Sequence, residues 1–141
     1  MAEPFIYKTR IYYQDTDIGG VVYHSKYIDF AERARMELLI RENVPPSVLR
    51  EKYNVGLMVR SCNVVYYAPA TLEDELTIET RIDDLKGATM VFKQTVYKNG
   101  VKLVAMDITA VCVNLNYKPV RLPDDLRMKL EKYNNAKPSC E

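Results

Sequence analysis

Only one segment of this chain has the spacing of a long helix, and it stands between stretches that read as strands. In HSKYIDFAERARMELLIREN (24–43), Tyr27, Phe30, Ala31, Ala34, Leu38 and Leu39 recur at helical intervals. Glu32, Arg33, Arg35 and Glu37 make up its polar face, and Asn43 followed by Pro45 and Pro46 marks its end. Ahead of it, FIYKTRIYY (5–13) is rich in aromatic and β-branched residues, as strands are. Behind it come four more strand-like runs, LMVRSCNVVYY (57–67), ELTIETRID (75–83), TMVFKQTVYK (89–98) and VKLVAMDITAVCVNL (101–115). PSVLREKY (46–53) predicts a short helix, and PDDLRMKLEKY (123–133) a terminal one opened by Pro123. A lone striped helix can bury its apolar side only against the sheet.

The dipeptide Asn99-Gly100 joins the last two strands. It suits a two-residue hairpin turn in which both central positions need positive φ, so that pairing is antiparallel. A straight strand of the length of 101–115 would run roughly 50 Å, too long for a small domain, so it must bend or carry a bulge. One helix wrapped by a curved, five-stranded antiparallel sheet is an α+β hotdog fold. That helix covers one sheet face only, so a second copy of the chain is expected to cover exposed edges, giving a homodimer or homotetramer.

The chain has 141 residues, the size of one domain. The whole of 1–141 reads as that domain, with a core at about 5–122 and a terminal helix and tail at 123–141. Lys plus Arg number 20 and Asp plus Glu 19, so a net charge of +1 gives no general reason to expect nucleic acid or an acidic membrane as partner. The start, MAEPFIYKTR, lacks the apolar core of a signal peptide, and no apolar run approaches bilayer length, so a cytoplasmic location without membrane insertion is expected. Cys62, Cys112 and Cys140 form no CxxC pair and read as reduced thiols. A single histidine leaves few ligands for a metal site, and none is expected.

The run DTDIGGVVYH (15–24) places two acids, two glycines and the only histidine at the entrance to the helix. Asp, Thr and Gly are what a tight turn needs, and that is the simplest reading. Two consecutive glycines also let the backbone approach a ligand closely. The first turn of a helix offers unpaired N–H groups, which suit a carbonyl oxygen that turns negative during acyl transfer. An acid facing that point can attack the carbonyl or activate water.

The run YYQDTDIGGVVYHSKYIDFAERAR (12–35) resembles the signature of the 4-hydroxybenzoyl-CoA thioesterase family, most of all its YbgC-type acyl-CoA thioesterase branch. LMVRSCNVVYYAPATLEDEL resembles that branch's second strand and the turn after it, and the likeness extends to about residue 122. The resemblance implies a hotdog fold, hydrolysis of acyl-CoA without metal or other cofactor, and sites at a dimer interface. It implies Asp17 as the catalytic carboxylate, either as nucleophile or as general base, and backbone N–H groups near Tyr23 and His24 as oxyanion donors. Asp15, Gly19 and Gly20 then support the loop, and the His24 side chain structures or orients rather than transfers protons. Arg60, Lys86 and Lys93 are candidates for the coenzyme A phosphates, with solvated surface charge the simpler reading of each. Glu32 and Arg35 read as a surface pair of small energetic value. Tyr66 and Tyr67 belong to sheet packing, with one face able to line an acyl pocket. Acyl carrier protein is an alternative carrier. Two other functions fit the same fold, a hydroxyacyl dehydratase and a non-catalytic binder of acyl-CoA or acyl carrier protein. The former needs a histidine base facing an acid from another loop; the latter does not need Asp17.

Overall fold

A computed structural model describes residues 2–136 and Pro138. Five strands form one antiparallel sheet: β1 (Phe5–Arg10), β2 (Gly56–Tyr66), β3 (Glu75–Lys86), β4 (Thr89–Lys98) and β5 (Val101–Val113), in the order β1-β3-β4-β5-β2. Helix α1 (Lys26–Arg41) lies across one face, α2 (Pro46–Tyr53) follows it, and α3 (Asp124–Leu130) closes the described chain with a 3-10 turn at Glu131–Tyr133. The α1 stripe expected from spacing is the stripe that is buried: Tyr27, Phe30, Ala31, Ala34, Leu38 and Leu39. Asn43 takes a positive φ of 61°, and the Val44 N–H reaches back to the Leu39 carbonyl, so the helix ends in a left-handed cap. No helix among the described residues is long and apolar enough to cross a membrane.

The hairpin at Asn99-Gly100 has φ of 49° and 79° at its two central residues. β5 is bent, as its length requires. Its pairing with β4 slips between Val96 and Tyr97, leaving Leu103 as an extra residue, and its pairing with β2 slips at Arg60. β1 is shorter than its composition suggests. After Arg10 the Ile11 N–H turns to the Asp74 carbonyl, and the chain enters a 3-10 turn at Tyr13–Asp15.

The Glu32–Arg35 surface pair does not form. Arg35 turns inward, and its Nη1 donates to Gln94 Oε1 at 2.9 Å. Gln94 is fully buried, and its Nε2 donates to the Ala31 carbonyl and to Thr80 Oγ1, both at 2.9 Å. One amide thereby ties α1 to the middle of β3 and β4. Cys112 is buried on β5 and Cys62 exposed on β2, both as free thiols; Cys140 lies outside the described residues.

The C-terminal segment is tied to the far end of α1. Tyr133 OH donates to Glu42 Oε2 at 2.6 Å, and Lys132 Nζ lies 2.8 Å from Glu42 Oε1. Burial alone would raise the Glu42 carboxyl, but the hydrogen bonds from Lys132 and Tyr133 outweigh it and hold the group below its ordinary value of 4.5. A carboxyl depressed in the folded state binds its proton more tightly in the unfolded one, so its contribution is complete above the ordinary value and is lost as pH falls through the depressed one. Urea midpoints of the wild type and Glu42→Gln are therefore expected to differ at neutral pH and to converge as pH is lowered below 4.5. A gap that persists unchanged in acid would contradict this assignment.

Candidate active site

The loop between β1 and α1 sends its two acids in opposite directions. Asp15 is buried, at 3% exposure, and its Oδ2 accepts the Tyr12 N–H at 2.9 Å. Its own carbonyl accepts the Tyr23 N–H at 2.9 Å, which draws the two ends of the loop together. Asp17 is exposed. Its Oδ1 accepts the Gly19 N–H at 2.8 Å in an Asx turn, and its main chain pairs with Val21 and Gly20. That bond leaves the second carboxylate oxygen to solvent.

Both glycines have a steric reason. A Cβ on Gly19 would stand 3.2 Å from Asp17 Oδ1, so a side chain there would crowd the carboxylate. Gly20 has φ of +83°, a conformation that β-branched residues avoid.

The expected donors lie at the start of α1. Tyr23's N–H is taken by the Asp15 carbonyl, so of the expected pair only His24 has its N–H to offer. Among the described residues, the His24 and Ser25 amides donate to no backbone carbonyl, as befits a first helical turn without a side-chain cap. The His24 ring is exposed and lies against the Tyr23 ring, with centroids 4.4 Å apart.

Two tyrosines hold this turn in place. Tyr66 OH donates to the His24 carbonyl at 2.9 Å, and Tyr27 OH accepts the Ala70 N–H at 3.0 Å. Burial raises both hydroxyls above their ordinary values. Val22, His24, Tyr27, Tyr66, Tyr67, Ala68 and Pro69 line an open groove of about 320 Å³ beside the first turn. Tyr66 is thus more than sheet packing, since it positions the carbonyl of His24. A hydroxyl at the end of a strand gives no warning of such a partner 42 residues away.

In the single chain, Arg60, Lys86 and Lys93 lie apart from this cluster. Arg60 occupies the β2 bulge, Lys86 stands at the β3–β4 turn, and Lys93 pairs with Asp107 at 3.3 Å. Lys102, which the sequence reading does not single out, packs on one of the groove residues, its Nζ 5.6 Å from the Tyr67 ring centroid. Its position beside the Asn99-Gly100 turn, next to the 66–74 loop, becomes visible only once the sheet order is known.

A curved antiparallel sheet around one helix, entered through an Asp-Gly loop, defines a hotdog-fold protein of the thioesterase class. The chain belongs to the thioesterase-like superfamily, whose model matches residues 12–130, and within it to the YbgC acyl-CoA thioesterase family. Acyl-CoA thioesterase YbgC of Haemophilus influenzae is 38% identical over 124 residues, covering 87% of this chain and 91% of that protein. Acyl-CoA thioester hydrolase YbgC of Escherichia coli is 40% identical over 124 residues, covering 86% of this chain and 92% of that one. The crystal structure of a probable thioesterase from Bartonella henselae is 32% identical and superposes with a TM-score of 0.81, over 85% of this chain and 99% of that chain.

Proposed function

We propose that this chain hydrolyses the thioester of acyl-coenzyme A, with Asp17 as the catalytic carboxylate and the His24 N–H as an oxyanion donor. The observation that carries the reading is the pairing of a solvent-facing carboxylate, fixed on one oxygen by the Gly19 N–H, with unpaired amides at the start of α1. The carbonyl polarised by the His24 N–H becomes an oxyanion when attacked, and the amide stabilises that charge more than the ground state. Asp17 acts either by attacking the carbonyl itself, forming an anhydride that water opens, or by taking a proton from the attacking water. Both routes need a free carboxylate oxygen. Asp15, buried and bonded to Tyr12, supports the loop instead. The relatives named as acyl-CoA thioesterases support the choice of substrate class. A panel of acyl-CoAs read by release of free thiol tests it. At least one member should turn over well above the uncatalysed rate, and a protein that releases thiol from none contradicts the reading.

The working unit we propose is a homodimer or a larger assembly of dimers. β2 is an edge strand of 11 residues with Met58, Val59 and Val65 exposed, and α1 exposes Ile28, Met36 and Ile40. A second copy covering these would also screen Asp17 from bulk water. Sedimentation at micromolar concentration should show no folded monomer; a monomer with full activity would overturn both the assembly and the shared site.

No metal takes part in this proposal. The one histidine lies against Tyr23, and a carboxylate with an amide donor completes the chemistry without a Lewis acid. Prolonged treatment with EDTA is expected to leave the rate unchanged. Activity lost and restored only by one divalent metal would contradict it.

A further inference from the structure

The groove beside His24 and a second cavity farther along α1 are both walled in part by β2. Strand pairing places Leu57, Val59, Cys62, Val64 and Tyr66 of β2 opposite Cys112, Ala110, Ile108, Met106 and Val104, all buried beneath the helix. These β2 residues therefore face the same side as α1. Tyr66 lines the groove at the first turn, and Leu57, at the other end of that strand face, lines a second cavity of about 220 Å³. Leu39, Leu49, Leu57, Phe92 and Ala110 give that cavity apolar walls, and Arg35 is its one cation among the described residues.

Arg35 meets neutral partners rather than a partner charge, its guanidinium lying 5.9 Å from the Phe92 ring centroid. Gln94, fixed at its other end by Ala31 and Thr80, binds Nη1 alone. Among the described residues Arg35 forms no ion pair, although Glu32 lines the same cavity. Burial lowers the guanidinium from its usual value, and the charge on Glu32 opposes that shift. A half-buried guanidinium with free N–H groups in an apolar cavity is best satisfied by a planar anion that takes two of them.

We propose that Arg35 reads the far end of the substrate, so that the preferred acyl group carries a terminal carboxylate. This rests on the thioesterase reading above. From Lys26, the first residue of α1, to Arg35 is about 13.5 Å along the helix axis at 1.5 Å per residue, and His24 lies two residues ahead of it. With bonds near 1.5 Å, and with the arginine side chain reaching back toward the first turn, an extended acyl chain of roughly eight to twelve carbons spans the gap.

Thiol release is compared for decanoyl-CoA and for the coenzyme A monothioester of decanedioic acid, with the same two compounds titrated calorimetrically into the Asp17→Asn protein. The wild type is expected to favour the carboxyl-ended substrate in kcat/KM by about tenfold or more, the scale of a charge-assisted hydrogen bond. Arg35→Met should abolish the preference while still hydrolysing decanoyl-CoA, and Arg35→Lys should retain part of it. A wild-type preference below tenfold, or one that survives Arg35→Met, overturns the proposal. If Arg35→Met does not fold, the wild-type ratio decides. If neither compound is hydrolysed but the carboxyl-ended one binds tenfold tighter, the Arg35 assignment stands and the acyl-CoA panel decides the thioesterase reading; equal binding without hydrolysis overturns the Arg35 assignment.

Discussion

Asp17→Asn is expected to lower kcat by at least about two orders of magnitude, the scale of general base catalysis, while the protein stays folded and assembled. Asparagine matches the size of aspartate, and its Oδ1 can still accept the Gly19 N–H that sets the Asx turn. What it lacks is a basic, nucleophilic oxygen on the other side. The substitution therefore removes chemistry and spares the loop. Asp15→Asn gives the opposite balance. Its carboxylate is buried and accepts the Tyr12 N–H, so the change weakens a charge-assisted hydrogen bond and costs about 1–3 kcal/mol of stability, with a smaller loss of turnover. Kinetics and thermal melts on the two variants check both halves, and an Asp15 variant that is inactive while Asp17→Asn retains most turnover would reverse the assignment.

The second large effect falls on stability. Gln94→Leu keeps the side chain's bulk in the core but removes three hydrogen bonds, to Arg35, Ala31 and Thr80. The Ala31 carbonyl retains its place in the helix ladder, whereas the Thr80 hydroxyl and the Arg35 guanidinium lose partners in a buried setting. Thr80 Oγ1 loses the N–H it accepts and Arg35 Nη1 the oxygen it donates to; a buried donor or acceptor left unsatisfied costs about 1–3 kcal/mol, so a loss of about 3 kcal/mol is expected, or roughly 10 °C in Tm for a domain of this size. A Tm within about 2 °C of wild type would mean that helix and sheet do not depend on this amide.

Much of this architecture was legible in the sequence because it follows from local periodicity. Six apolar positions on α1, the Asn-Gly hairpin and the need for β5 to bend each follow from spacing or φ preference within a few residues. Arg35 shows where that logic stops. It lies four residues after Ala31 and three before Leu38, both core positions, so helical spacing already placed it at the border of the buried stripe. Its acceptor is 59 residues away on β4, and nothing local announces it. The tie between Glu42 and Tyr133 spans 91 residues and was equally hidden. Within the loop, the Asp-x-Asp spacing could not say which acid turns inward. That is decided by the 3-10 turn at Tyr13–Asp15, which buries the first carboxylate and leaves the second at the surface. Lys93 follows from alternation once its strand is placed: Phe92 faces the core, so Lys93 faces away and meets Asp107.

The most direct test of the central claim is the fate of a 3-hydroxyacyl-CoA incubated with the protein and followed by mass spectrometry and thiol titration. Free 3-hydroxy acid and one equivalent of coenzyme A thiol are predicted for the wild type, with neither formed at a comparable rate by Asp17→Asn. Appearance of the enoyl-CoA, which a dehydratase would make, or recovery of the intact thioester from a tight complex, would contradict the assignment of this chain as a thioester hydrolase.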